Sequence, residues 1–540
     1  MTLPRTVADV LAEHVTFEVE CIDRLYLNCY VPGLQYDRGL VAYVHRQLGL
    51  PIASTAPLAK ISKTFDAAVH QFAIDEDIAW VNFTKSQRKD DVMHEYLAKF
   101  EDAGRTEGVL LIGRAQEKAN LFRTEKRYRP DGAPYPWIVP RTGVVNQFYF
   151  YCVDEDFGPF FLKFCAYFPY NAKLCINGHH WAQRQAAKAG IGFEAMDNAF
   201  ASVADVPALQ EICDSLGQEQ IDALLRKWLG ILPHPFSPAD RAAGYTYELS
   251  IWQAEFSLTQ MLTAPVAGRI FFEQVIRDNL DLGRPDQVSL IFNRRVQGGR
   301  KNPTPGMFRT RVITEGVTPS LHVDYKHTRI KQYHKEGRAL RTETTINNTN
   351  DFSIGKRLTN LPALREVGFT ANRRLLSVQR LDHDPIIGTT TLSSVTEAVT
   401  TPTGTRVPGL PRGQVRTHAL LQGLLTFRVQ PDGFTNADLR VLTTELRGLP
   451  PEAVKAGQMT YDLRRLGAHG LIKRIPHTNR YLVTDTGLHA ATVLTRVHER
   501  LLPTALAHLR DPHDTGPLRH AYLVLEHQIE ALANSCGLAA

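Results

Sequence analysis

The sequence predicts a multidomain α/β protein with mixed sheets, closed by a small C-terminal module of three helices and a β-hairpin. Three observations predict it. The chain has 540 residues, more than one ordinary core of about 100–200 residues holds. Strand-like and helix-like apolar periods alternate over its first part, the order of an α/β domain. Near residue 400 the apolar content falls into a stretch rich in Thr, Gly and Pro, beyond which helical stripes and a hairpin follow.

Hydrophobic residues make up 43% of the chain and charged residues 22%, enough apolar surface to offset the entropy of ordering a core. The 62 Lys and Arg against 56 Asp and Glu leave +6, so a site for a polyanion depends on where the basic residues cluster. Seven cysteines (Cys21, Cys29, Cys152, Cys165, Cys175, Cys213 and Cys536) lie mostly in apolar runs without a CxxC pair. They read as buried thiols of a reducing compartment. Residues 1–17 carry no secretory pattern, and no apolar run reaches the ~18 residues of a span. No membrane partner and a cytoplasmic, bacterial-type location are expected.

In chain order, residues 1–130 form an α/β domain, with strand-like and helical runs at 24–31, 40–48, 61–72, 79–83, 92–100 and 109–112. A loop rich in Pro, Gly and Arg at 127–141 marks a boundary. Residues 141–204 read as a β-rich α/β segment: strands at 147–153, 160–168 and 173–176, a helix from Gly178 to Gly190, and a strand at 191–196. A helical insert at 205–285 and a β-rich basic domain at 286–387 follow, with a hairpin at 322–347 turning at Glu336-Gly337. Residues 388–413 form a linker, 414–510 the small module and 511–540 a terminal helix. No internal repeat is evident.

In the module, Leu420, Leu421, Leu424 and Leu425 stripe the first helix. Thr435-Asn436 caps the second, which runs through Leu439, Leu442 and Leu446 to Gly448. The third carries Tyr461, Leu463 and Leu466 inward and ends at Gly470, and 471–475 and 480–483 make a hairpin. The run from Met459 to Leu466, followed by Gly470 to Arg474 and Tyr481 to Thr484, resembles the recognition helix and wing of bacterial winged-helix (winged helix-turn-helix) regulators. The resemblance implies that Gln458, Thr460, Tyr461, Arg464 and Arg465 face a DNA groove. It further implies that Lys473, Arg474, His477 and Arg480 meet phosphates from the wing. A protein-contact role for the module is the alternative.

Upstream, period-two alternation puts Lys326, Thr328, Ile330 and Gln332 on one hairpin face and Arg329, Lys331, Tyr333 and Lys335 on the other, with Arg338 and Arg341 following. Cations interleaved with Tyr325 and Tyr333 suit a strand of nucleic acid, DNA before RNA. An edge hairpin whose lysines deter pairing is the competing reading. The hairpin with residues 341–347 is loosely similar to a segment of phage and plasmid replication initiators, but no metal-binding His pair stands beside a helical tyrosine, so that family is not adopted.

Asp154, Glu155 and Asp156 end one strand and Asp197 follows a later one. Strand, strand, strand, helix, strand with carboxylates at strand ends is similar to ribonuclease-H-like nucleases and transposases. The likeness implies Asp154, Asp156 and Asp197 as catalytic ligands of paired Mg²⁺ or Mn²⁺ in phosphodiester hydrolysis. The helix 179–188 lacks the acid expected there, so Glu194, Asp214, Glu248 or Glu255 would have to supply it. Asp23 is a further candidate ligand, and His179-His180 read as a helix N-terminus. Turns also favour Asp, Glu and Gly for conformational reasons alone. The expectations are therefore a metal-dependent nuclease or mobile-element enzyme acting on DNA, a DNA-binding transcriptional regulator, or an RNA-binding protein.

Overall fold

The computed structural model describes residues 5–527 except 85–86, 264, 295, 297–303, 314–318, 382–383, 412, 429, 431, 512–515, 518 and 525–526. The chain divides into two units, 1–384 and 385–540.

The first unit is built on one eleven-stranded sheet. Helix α1 (Val7–His14) precedes the long strand β1 (Val15–Tyr30), whose second half alternates buried and half-buried positions. Then come α2 (Ala56–Asp75), β2 (Ala79–Asn82) and α3 (Lys89–Asp102). A meander of β3 (Gly108–Tyr128), β4 (Pro134–Asp154), β5 (Gly158–Cys165) and β6 (Ala172–Asn177) ends in α4 (Gly178–Lys188). A hairpin, β7 (Phe193–Met196) and β8 (Ala199–Val203), and helices α5 (Val206–Ser215) and α6 (Gln218–Ile231) connect onward. The second half repeats the plan: long strand β9 (Glu248–Leu262), helices α7 (Pro265–Asp278) and α8 (Pro285–Phe292), then a second meander. Its strands are β10 (Phe308–Ile313), β11 (Ser320–Tyr325), β12 (Thr328–Lys335) and β13 (Ala339–Ile346), closed by α9 (Leu361–Val378).

Across the sheet the order is β10-β11-β12-β13-β9-β1-β6-β5-β4-β3-β2, antiparallel throughout except β2 beside β3. In each half the last meander strand returns beside the first strand, and the halves join where β1 pairs with β9. Strands from the segments expected as separate domains at 1–130, 141–204 and 286–387 thus share one sheet. The topological repeat and the joining of halves rest on pairings such as Arg24 with Glu255, too distant in sequence for a local pattern to register.

Helices cover one face. Phe65 of α2 packs edge-on to Phe148 and Phe164, Trp228 of α6 on Phe160, and Phe369 of α9 on Phe256. Each buried aromatic of this kind stabilises by about 1.5–3 kcal/mol. Helix α9 comes close enough that a Cβ on Gly368 would lie 2.3 Å from Phe256 Cδ2. Tyr325 also points to this face, stacked 4.8 Å from Phe292, and so is withdrawn from the surface expected for nucleic acid. The first half of β1 has β9 on one side, while β6 pairs only from Arg24 to Cys29 on the other. There the Gln210 amide accepts from Glu20 N–H and donates to Glu20 C=O, both at 2.9 Å.

The second unit contains α10 (Pro385–Thr396), the hairpin β14 (Val399–Thr400) and β15 (Arg406–Val407), α11 (Val415–Phe427), β16 (Phe434–Thr435) and α12 (Asn436–Leu446). It continues with α13 (Ala456–Ala468), β17 (Ile472–Arg474), β18 (Arg480–Val483), α14 (Asp485–Arg496) and α15 (Leu502–Arg510). Strands β16, β18 and β17 make one small sheet in that order. Thr435 and Asp438 close the capping box of α12, and Leu424, Leu439, Met459, Leu463 and Leu466 fill the core. Tyr461 is 49% exposed and faces outward, not inward.

The described part of the segment expected as a linker, 388–413, packs onto this core through residues 394–410. Val395 and Leu410 are buried in it, and the His469 ring lies 2.6 Å from Ser394 O and 3.0 Å from Pro408 O. Two well-placed apolar residues and satisfied carbonyls order a stretch whose composition reads as loose. Most of the expected helix at 511–540 lies outside the described residues. Among those residues no helix is long and apolar enough to cross a membrane.

Candidate nucleic-acid interface

Residues paired across neighbouring strands share a face, so the registers place one set of side chains opposite the helical layer. From β10 inward these are Arg309 and Arg311, then Asp324 and His322, then Arg329 and Lys331, with Glu343 and Glu255 beyond. Arg24, Tyr26, Lys173 and Lys163 continue the face through β1, β6 and β5. Helix α3 covers its far end by packing on Leu111, Tyr149 and Tyr151, and the β7–β8 hairpin covers Met261 and Ala339. Between them the side chains of β1 and β12 are partly exposed, alternating with buried ones, while Asp324 and His322 of β11 are buried. At about 4.8 Å per strand this open stretch is roughly 33 Å wide.

The open face is basic with aromatic breaks. Asp324 holds three guanidiniums, Arg309 and Arg329 at 2.8 Å and Arg311 at 3.2 Å. Burial raises its pKa, but the Arg309 and Arg329 hydrogen bonds outweigh that and keep the carboxyl below its usual range. The cluster therefore stays net positive. Lys331 Nζ sits 4.1 Å from the Tyr333 ring centre, and the Tyr333 hydroxyl donates to Glu343 at 2.8 Å. Trp252, 44% exposed, is the extra residue of a bulge between Ile251 and Gln253; it meets Tyr26 edge-on at 5.9 Å and carries Lys173 Nζ 3.2 Å from its ring centre.

A second bulge, at Asp23, builds a buried polar knot beneath this face. Arg341 is fully buried and bonds Asp23 at 2.9 Å, Glu343 at 2.7 Å, Thr259 at 3.0 Å and the Asn198 carbonyl. His179 Nε2 lies 3.1 Å from Ser257 Oγ, 3.2 Å from Arg341 Nη2 and 3.6 Å from Asp23 Oδ1. Burial, then Arg341, holds the imidazole well below its usual pKa, hence neutral. A Ser, a His and an Asp meet here without nucleophile geometry. A triad sets the carboxylate on Nδ1, whereas the carboxylate and hydroxyl both approach Nε2, Nδ1 is unpartnered, and Ser257 Oγ donates to Cys21 O.

The expected carboxylate site does not assemble. Asp154 is buried, accepting from Lys227 Nζ and Trp228 Nε1 at 2.8 Å and from the amides of Asp156 and Phe157. Asp156 pairs with Lys188 at 2.6 Å, and Asp197 is exposed, 3.6 Å from Lys335. The oxygens of Asp154 are taken by amine, indole and amide donors, and among the described residues the three acids form no group that fits Mg²⁺ or Mn²⁺. Among the described residues, only Glu13, His14 and Asp384 bring three ligand atoms within 4.8 Å of one another. Asp23 is committed to Arg341.

Of the expected nucleic-acid contacts, Arg329, Lys331 and Tyr333 lie together on the open face. Lys326 and Arg338 stand in the turns at either end of β12, Arg338 3.4 Å from Glu194. Lys335 and Arg341 do not contribute: Lys335 is 7% exposed beside Asp197 and Glu336, and Arg341 is the centre of the knot. In the second unit, Thr460, Tyr461, Arg464 and Lys473 are exposed. Arg465 is not free, since its guanidinium bonds the Pro408 and Gly409 carbonyls. Arg474 folds back on Thr478 O and Asn479, and Arg480 binds the Asp432 and Gly433 carbonyls.

Sequence reading missed Arg24, Lys163, Lys173, Trp252, Arg309 and Arg311. The alternation of Arg309 and Arg311 was a usable signal; the rest join the face only through long-range register. Compared with protein-family models, curated proteins and solved structures, the chain matches none.

Proposed function

We propose that the protein binds nucleic acid, laying a single strand across the open face of the large sheet, with the second unit contacting duplex DNA in the manner of a winged helix. The observation that carries this reading is the open face itself. Arginine and lysine offer charge to phosphates, and Tyr26, Trp252 and Tyr333 offer rings to unstacked bases at intervals along it. A flat sheet face fits a splayed strand better than a groove.

The second unit supports the duplex contact through the exposed row Thr460, Tyr461 and Arg464 with Lys473 nearby, and this row also favours a DNA-binding regulator as the second reading. Metal-assisted hydrolysis draws no support from Asp154, whose oxygens are already occupied, or from Asp156 and Asp197, which do not converge with it.

Fluorescence anisotropy with labelled single-stranded DNA, single-stranded RNA and duplex DNA over a salt series tests the reading. Replacing Lys331 and Arg311 by Gln should weaken single-strand binding and flatten the log Kd against log salt slope by about 0.7 for each phosphate that is no longer neutralised. Unchanged affinity and slope in that double variant would sink the sheet-face reading.

A further inference from the structure

A cavity of about 650 Å³ opens on the first unit between β1, β3, β4, β5 and β6, with Trp252 at its wall. Three lysines line it, Lys118, Lys163 and Lys173, and no carboxylate does. The rest is largely neutral and polar, with Asn28, Gln147 and Asn171 presenting amides. Lys163 and Lys173 stand directly opposite one another across β5 and β6, a like-charge pairing that costs stability in a sheet. Lys163 is answered by Glu117, which also takes Lys89 at 2.7 Å. Lys173 forms no ion pair among the described residues and has the Trp252 ring as its main neighbour. Burial, then Lys163, pulls its ammonium down to about 8.

We propose that this cavity is a binding site for a nucleoside monophosphate, its base against Trp252 and its phosphate beside Lys173. A phosphate there would supply the missing counter-charge and remove the repulsion between the paired lysines. The volume exceeds the need of a bare phosphate and lies within the ~300–1,000 Å³ of small-ligand sites. Amide side chains suit the donor and acceptor edges of a base. The same group comes free in solution or as the 5′ end of a strand. The site lies on the face proposed to carry a strand, yet it rests on its own lining residues.

Titration calorimetry on the full chain with adenosine 5′-monophosphate, adenosine and inorganic phosphate tests it. The monophosphate should bind, the other two at least about tenfold more weakly. Lys173→Met and Trp252→Leu should each cost about tenfold or more, while Lys173→Arg keeps most of the affinity and shows that the fold tolerates change there. Because an anion favours the charged amine, binding at about pH 8.5 should take up a proton, seen as a dependence of heat on buffer ionisation, and Lys173→Met should abolish that uptake.

No heat with monophosphate at about 5 mM, or equal affinity in a folded Lys173→Met, would overturn the proposal. Oligonucleotides with and without a 5′-phosphate separate the sources. Preference for the phosphorylated one assigns the site to strand ends; equal affinity alongside monophosphate binding assigns it to the free nucleotide. Monophosphate binding without strand binding would leave this site standing and remove the sheet-face reading.

Discussion

Asp154 accepts four hydrogen bonds, from Lys227, Trp228 and two amides, and has no lone pair left for an ion. Its role follows from those donors: it closes the β4–β5 turn and satisfies an indole that is 1% exposed. Asp154→Ala should cost about 2–4 kcal/mol of stability, because the Trp228 N–H is left buried without an acceptor, and Asp154→Asn should cost less. Urea unfolding checks both. Burial raises this carboxyl, but Lys227 and Trp228 overcome it and lower the folded pKa. The stabilisation is therefore present above the unfolded value of 3.8 and is lost as pH falls through the folded one, so wild type and Asp154→Ala should converge in strong acid. From sequence, a strand-end Asp-Glu-Asp reads as turn or as ligand, since the deciding partners lie in α6. Arg329 and Lys331 were legible for the opposite reason, because a period of two puts them together whatever pairs beside them.

Helix α13 separates two adjacent arginines by one step of about 100°. Arg464 turns to solvent, whereas Arg465 reaches the carbonyls of Pro408 and Gly409 and pins the β14–β15 segment to the core. Arg464→Ala should leave thermal stability unchanged, weaken duplex binding and reduce the salt slope by about 0.9. Arg465→Ala should lower the melting temperature of the second unit by several degrees, on the order of a 1–2 kcal/mol loss, with the slope nearly intact. A matched fall in affinity for both would contradict this division. The helices, caps and hairpin of this unit were legible because their signals are local: a capping box, leucine stripes and glycine stops. The packed state of residues 394–410 was not, since it depends on side chains of α13 that lie far along the chain.

Among the described residues, the core around Leu424 and Leu463 is built from residues between Val395 and Leu494, all within the second unit. Calorimetry of the full chain should therefore resolve two unfolding transitions, with Leu463→Ala lowering one and leaving the other in place; a single transition shifted as a whole would contradict independent cores. The eleven-stranded sheet was the least legible feature, because each half is specified locally while their union depends on one pairing between β1 and β9. That union has a hazard at Glu20. Its N–H and C=O face a side that no strand fills, and unpaired strand edges recruit foreign β-segments and seed aggregation. The Gln210 amide presents one donor and one acceptor at the spacing of a peptide group, so a single side chain stands in for a missing strand. The sheet is thereby capped at Glu20 on its own midline, where the first and second halves of the protein meet.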